Sequence, residues 1–121
     1  MGNFKELKVW QKSKDLSVRI YKLFYGKEIE KVDFRLKSQI TSSAISIPSN
    51  IAEGDELNTI KQGIKHLYIA KGSCAELITQ LIICKEIGIL KTKEADDLIE
   101  EAELISLMLY KLIQARIKFL N

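Results

Sequence analysis

The sequence contains few of the residues on which disulfide, metal and nucleophilic chemistry depend. Its 121 residues include two cysteines, Cys74 and Cys84, and one histidine, His66. Ten residues apart on one helix, the cysteines would be separated by roughly 15 Å, beyond disulfide reach, so we expect buried, reduced thiols. His66 has Gly63 three residues before it, whereas di-metal helical proteins use Glu-x-x-His pairs. We therefore predict no metal site, no cofactor and no catalytic triad, and hence no enzyme.

Long apolar runs are also scarce. The first residues, MGNFKELKVWQK, lack the apolar core of a signal peptide, and no uncharged apolar run reaches the roughly 18 residues of a membrane span. This pattern predicts a cytoplasmic protein with no membrane attachment. The net charge of +3 is modest, but Lys and Arg concentrate in residues 1–40, whereas residues 94–103 carry acids and no base. We expect one basic end and one acidic end.

Proline and glycine are rare, which favours long helices. Gly26, Gly54 and Gly88 each follow a periodic apolar segment, where a left-handed glycine can close a helix. They divide the chain into four segments of helical length, and no strand-like alternation appears. We predict one all-α domain over residues 1–121, an antiparallel up-down-up-down four-helix bundle with helices over about 4–25, 32–53, 59–87 and 92–118.

The third and fourth segments have the clearest start signals. Thr59 and Gln62 form a capping-box pattern, and a seam of apolar or small residues spaced by three and four runs from Ile60 to Gly88. A second apolar stripe lies beside this seam, which is typical of a helix that is central in its bundle or shared with another subunit. Gly72 within it is expected to allow close helix approach. Thr92 is the expected cap of the fourth helix.

The stretch from Ser38 to Gly54 is nearly uncharged and holds the only proline, Pro48. The spacing of apolar residues by three and four continues through Pro48, which predicts one helix with a local kink. The alternative is a break of the helix at Ile47. Proline cannot donate to the carbonyl four residues earlier, and we expect Ser46, Ser49 or ordered water to satisfy that carbonyl.

Three motifs resemble one known pattern. They are Phe4-x-x-Leu7-x-Val9-Trp10-Gln11, Ser46-Ile47-Pro48-Ser49-Asn50-Ile51-Ala52-Glu53-Gly54 and Ile69-Ala70-Lys71-Gly72-Ser73-x-x-Glu76-Leu77. In order and spacing the chain is similar to the four-helix-bundle proteins encoded by intervening sequences within bacterial 23S ribosomal RNA genes. The resemblance implies a left-handed bundle that assembles into a homopentameric ring. It implies no established enzymatic activity.

Nucleic-acid binding is a proposal for that family. A distant relative, the accessory protein of diversity-generating retroelements, works with a reverse transcriptase and binds nucleic acid. The family commonly has two arginines where this chain has Thr41-Ser42-Ser43. If those arginines contact nucleic acid in the family, part of that surface is missing here. If they pair instead with the glutamate of the Asn-Ile-Ala-Glu-Gly motif, Glu53 needs another partner.

Two groups of residues are candidate sites. Asn50, Glu53 and Glu76 should lie near helix contacts, where buried carboxylates need partners. They could form a shared polar site, but a network that fixes helix register or a subunit interface is favoured. The second group consists of basic residues that a ring would repeat around its axis and that could contact nucleic acid: Lys5, Lys8, Lys12, Arg19, Lys22, Lys61 and Lys65.

A solvated face explains most such basic sets. Without interleaved aromatics, the basic residues do not indicate base stacking. The predicted function is a non-catalytic homo-oligomer, a pentamer by resemblance, acting as a nucleic-acid-associated scaffold. The alternative is a protein-interaction adaptor that binds no nucleic acid.

Overall fold

The computed structural model describes residues 2–26, 32–57 and 59–120. These residues form a short 3-10 helix, Phe4–Glu6, and four α-helices: α1 (Lys8–Tyr25), α2 (Phe34–Glu56), α3 (Ile60–Glu86) and α4 (Thr92–Ile117). No strand occurs in these three ranges, so the predicted all-α class with four helices is confirmed. The predicted domain also includes positions 1, 27–31, 58 and 121, which lie outside the described residues.

The helices pack around one continuous apolar core. The backbone of α2 lies against α1 and α3, that of α3 against α4, and that of α4 against α1. The predicted seam of α3 is buried from Gly63 to Cys84, with its end residues Ile60 and Gly88 exposed. In α4 the spacing of apolar residues predicts a seam from Ala95 through Leu109 and Leu112 to Phe119. The structure buries Ile113 in place of Leu112 and leaves Phe119 exposed, so the predicted seam departs from the core after Leu109.

The start of α1 differs from the prediction. Residues 4–6 form a 3-10 turn, and Leu7 is extended (φ −70°, ψ 124°), so the α-helix begins at Lys8. The side chains on either side of this bend hold it in place. The Phe4 ring packs edge-on against Trp10 with 5.3 Å between centroids, and Gln11 Nε2 donates to the Lys5 carbonyl at 2.8 Å.

Two of the predicted helix caps differ in outcome. The Thr59 side chain accepts a hydrogen bond from the backbone N–H of Gln62 at 3.2 Å, which confirms Thr59 as the cap of α3. The predicted cap at Thr92 is wrong, because Lys91 is the capping residue and Thr92 is the first residue inside α4. Glu94 lies in that first turn, where the helix dipole favours an anion.

Helix α2 is continuous through Pro48, so the alternative break at Ile47 does not occur. The carbonyl that loses its helical donor belongs to Ala44. It accepts a hydrogen bond from Ser17 Oγ of α1 at 2.7 Å, and the predicted donors Ser46 and Ser49 are wrong. A hydroxyl from another helix replaces the missing N–H, because Pro48 is buried and its helix packs directly on α1. The kink at Pro48 stays a prediction.

The glycines behave differently from one another. Gly88 has φ +82° and ends α3 as predicted, but Gly26 is extended (φ −88°). Gly54 does not end α2, which continues to Glu56, and is buried against Gly63 of α3. A Cβ at Gly54 would lie 2.8 Å from the Gly63 carbonyl oxygen, so the two backbones approach closely at this point. Gly72 has no neighbour within 4 Å, so its predicted role in helix approach within the chain is wrong.

Helix α3 is also the only helix in the described ranges that is long and apolar enough to cross a membrane. Its most apolar window has a mean hydropathy of 1.3, and 33% of that window is buried. The window passes this test although it contains charged residues, since Lys71 and Glu76 interrupt the stretch between His66 and Ile83, and no uncharged apolar run of that length occurs in the sequence. Core helices of water-soluble proteins pass the same test of length and composition.

Candidate functional site

Polar side chains from α2 and α3 meet in a row along the contact between these helices. We call this set the α2–α3 polar row: Ser43, Ser46, Asn50 and Glu53 of α2, with His66, Ser73 and Glu76 of α3. Ser43 Oγ donates to Glu76 Oε1 at 2.6 Å, Ser46 Oγ lies 2.9 Å from Ser73 Oγ, and His66 Nδ1 lies 3.1 Å from Asn50 Oδ1. Residue numbers fall along α3 as they rise along α2.

Asn50 is the centre of this row. Its Nδ2 donates to the Ser46 carbonyl at 2.9 Å and to Ser46 Oγ at 3.1 Å. Its Oδ1 must therefore accept the bond from His66, which assigns a proton to His66 Nδ1. Glu53 Oε2 lies 3.3 Å from the same ring nitrogen. Asn50 and Glu53 thus converge on one imidazole.

Glu76 lies elsewhere in the row, against the buried hydroxyl of Ser43. The three predicted polar residues therefore form two separate contacts rather than one shared carboxylate site. Ser43 belongs to the Thr41-Ser42-Ser43 stretch, so this position contributes a hydroxyl to Glu76. His66 is the partner that the sequence analysis did not assign to Glu53. A single histidine forms no periodic pattern in the sequence. Its contact with Glu53 follows only from the register between α2 and α3.

A second polar contact joins the C-terminal ends of α2 and α4. Arg116 Nη2 donates to Asp55 Oδ1 at 3.0 Å, and the Asp55 side chain is only 7% exposed. The other Asp55 oxygen, Oδ2, is buried without a hydrogen-bond partner among the described residues. The sequence does not reveal this pair, because neither residue stands out by its spacing.

The predicted basic residues do not form one face. Lys12 lies 3.9 Å from Glu101 and Arg19 lies 3.3 Å from Glu94, so two of them are bound to the acids of α4. The remaining members are exposed and make no ion pair with any other described residue: Lys5, Lys8, Lys22, Lys61 and Lys65. The unpaired members of the predicted set are thus divided among the 3-10 helix, α1 and the start of α3.

Aromatic residues lie beside some of these lysines, contrary to the expectation from the sequence. Tyr68 and Ile69 line the same open groove as Lys61 and Lys65 on α3. On α1, Tyr21 and Tyr25 flank Lys22 in sequence and stack on each other, with 4.7 Å between ring centroids and an interplanar angle of 25°. The described lysines of α1 and α3 are therefore interleaved with aromatic side chains.

The two thiols lie within the core, as predicted, and neither forms a disulfide. Burial raises the pKa of the Cys74 thiol to about 12, with the positive charge of Lys71 acting weakly in the opposite direction. Burial also raises the pKa of the Cys84 thiol to about 11. Thiols with such values carry almost no thiolate near neutral pH. Within the described residues no group of three or more His, Cys, Asp or Glu side chains could hold a metal ion.

These features define a small all-α protein of four helices that share an apolar core and make polar contacts between α2 and α3 and between α2 and α4. The chain belongs to the 23S rRNA-intervening sequence protein family, whose family model matches residues 5–111. It is also similar to a solved structure of a protein of unknown function from the S23 ribosomal protein family of Bacteroides thetaiotaomicron. That similarity has a TM-score of 0.77 at 25% identity and covers 87% of this chain and 97% of that one. No curated protein matches this chain.

Proposed function

We propose that the protein is a non-catalytic, homo-oligomeric helical scaffold that associates with nucleic acid in the cytoplasm, without membrane attachment. Its subunit would be an antiparallel up-down-up-down bundle. The α2–α3 polar row supports antiparallel packing of those helices. The pairs Lys12–Glu101 and Arg19–Glu94 support it for α1 and α4, since the number on one helix rises as the other falls.

The observation that carries the oligomer is the apolar outer surface of α3 and α4. Their inward seams already fill the core, yet further large apolar side chains stay exposed: Ile69, Ile82, Ile83, Leu104, Leu107 and Tyr110. Clustered exposed apolar side chains mark interaction surfaces. A closed ring needs two different surfaces on each subunit. The family resemblance makes a pentamer the expected ring.

The association with nucleic acid is supported by the family and by the exposed lysines of α1 and α3. In a ring, Lys61 and Lys65 would recur once in each subunit, so a weak patch on one chain becomes a repeated band. Lysines that neutralise phosphates release bound counterions, which makes the affinity fall steeply with salt.

A binding experiment with charge variants tests this proposal. Structured RNA and duplex DNA are titrated at about 50 and about 200 mM salt. We expect the double variant Lys61→Gln, Lys65→Gln to weaken binding and lower the salt slope by about 2. The matched control is Lys91→Gln, Lys93→Gln at the acidic end of α4, which removes the same charge and should leave the slope unchanged. Equal effects of the two double variants would contradict a specific role for α3.

The alternative function is a protein-interaction adaptor without nucleic-acid binding. It is favoured by the ion pairs that engage Lys12 and Arg19 and by the hydroxyl residues at Thr41-Ser42-Ser43. An oligomer that shows no salt-sensitive binding to either nucleic acid would support this alternative and reject the scaffold on nucleic acid.

A further inference from the structure

We propose that Tyr21 and Tyr25 of α1, together with Lys37 of α2, form a binding surface for unpaired bases of single-stranded nucleic acid. We call these three residues the tyrosine platform. The inference rests on the proposed association with nucleic acid and specifies which form of the ligand is bound at this face.

The two rings stack on each other at the exposed side of α1, which leaves the outer face of Tyr21 for a ligand, since Lys37 Nζ lies over the Tyr25 ring. Tyr21 and Tyr25 are one helical turn apart, with 4.7 Å between centroids and an angle of 25° between planes. Tyr21 is 51% exposed and Tyr25 is 40% exposed, and neither belongs to the buried core cluster. The core does not include these two side chains. No described side chain covers their aromatic surface fully.

Positive charge accompanies the stack. Lys37 Nζ lies 4.8 Å from the centroid of the Tyr25 ring, so its ammonium is held next to the aromatic surface. Lys22 follows Tyr21 on the exposed side of α1. The described acid nearest to Lys37 in sequence is Asp33, the N-cap residue of α2, one helical turn before it. A ligand that stacks on the rings would meet the Lys37 ammonium on its flank.

This combination fits a planar ring joined to an anionic backbone. Bases stack on aromatic side chains without sequence preference, while lysines neutralise the adjoining phosphates. The bases of a duplex hide their faces within the helix, so a duplex could use only the charge. The platform should consequently distinguish single strands from duplexes, which the lysines of α3 alone would not do.

Binding of a labelled uridine oligonucleotide and of an RNA duplex of equal length tests the inference by fluorescence anisotropy. We expect Tyr21→Leu to weaken single-strand binding about tenfold or more and to leave duplex binding unchanged, because removal of one stacking ring affects only unpaired bases. Tyr21→Phe keeps the ring and should retain the affinity. Phe119→Leu is the control and should leave both affinities unchanged, since Phe119 is an exposed aromatic residue (69%) beyond the end of α4.

The outcomes separate this inference from the proposed function. If the unmodified protein binds both nucleic acids with salt dependence and Tyr21→Leu binds the single strand equally well, the platform is rejected and the scaffold proposal stands. If the unmodified protein binds neither, both are rejected. A lower oligomer mass of Tyr21→Leu in light scattering would show that the rings contact a second copy of the chain, which also overturns the platform.

Discussion

At the scale of single residues, the proline in α2 depends on a hydroxyl group from α1. Pro48 has no N–H to offer the Ala44 carbonyl, and Ser17 Oγ donates to that carbonyl at 2.7 Å. Ser17 Oγ also lies 2.9 Å from the Ser13 carbonyl of its own helix. A buried carbonyl without a donor costs free energy. The Ser17 hydroxyl therefore makes a mid-helix proline tolerable in this chain.

We expect Ser17→Ala to lower the free energy of unfolding by about 1–2 kcal/mol, because it leaves the Ala44 carbonyl without a donor. In the Pro48→Ala background the same change should cost clearly less, since the restored N–H at position 48 can bond that carbonyl. Urea unfolding of the four variants measures the coupling between the two positions. Equal costs in both backgrounds would contradict the role assigned to Ser17.

The two cysteines allow a second prediction at this scale. Burial holds the pKa of Cys74 at about 12 and that of Cys84 at about 11, and the thiolate is the reactive form. We expect neither thiol to react appreciably with a disulfide reagent at pH 8 in the folded protein, and both to react rapidly in denaturant. Fast labelling of the folded protein would place at least one thiol at the surface.

At the scale of helices, the close approach of α2 and α3 depends on two glycines. A Cβ at Gly63 would lie 2.6 Å from the Gly54 carbonyl oxygen, which is backbone and cannot move aside alone. Gly72 lies in the same helix with open space around it. The two positions share residue type and helix, so they differ only in what surrounds them.

We expect Gly63→Ala to destabilise the protein by about 1–3 kcal/mol through overpacking. Gly72→Ala is the matched control and should stabilise it by about 0.5–1 kcal/mol, because alanine is the better helix former. Chemical denaturation of the two variants gives both values. A stabilising effect of Gly63→Ala would show that α2 and α3 do not approach as closely as described. If an oligomer interface covers Gly72, the stabilisation expected from Gly72→Ala would be lost.

The sequence predicted the helices well and their contacts poorly. Apolar spacing located four helices and the α3 seam, because burial of one face dictates that pattern along the chain. The Ser17–Ala44 bond, the Gly54–Gly63 approach and the His66 contacts each depend on how two helices are set against each other. That setting arises from the packing of many side chains at once, and no local pattern encodes it.

At the scale of the whole molecule, one ion pair joins helices whose backbones do not otherwise approach closely in the described structure. Arg116 of α4 reaches Asp55 of α2 at 3.0 Å, whereas α2 and α4 make no close backbone contact. The Asp55 carboxylate is nearly buried, and the Arg116 side chain is 29% exposed. The exposed pair Lys12–Glu101, at 3.9 Å, joins α1 to α4.

We expect Arg116→Met to lower the free energy of unfolding by about 3 kcal/mol, because it leaves a buried carboxylate without its cation. Lys12→Met is the matched control and should change it by no more than about 0.5 kcal/mol, since surface ion pairs contribute little. Thermal and urea unfolding would both report the difference. If the two substitutions cost the same, the Asp55 carboxylate is solvated and the pair is an ordinary surface contact.

The central claim is that the chain functions as an oligomer, because the apolar outer faces of α3 and α4 and any repeated band of lysines acquire a role only in an assembly. Light scattering coupled to size exclusion, over a range of micromolar concentrations, measures the mass directly. We expect about five times the 13.8 kDa mass of one chain. A mass of one chain at every concentration would contradict it.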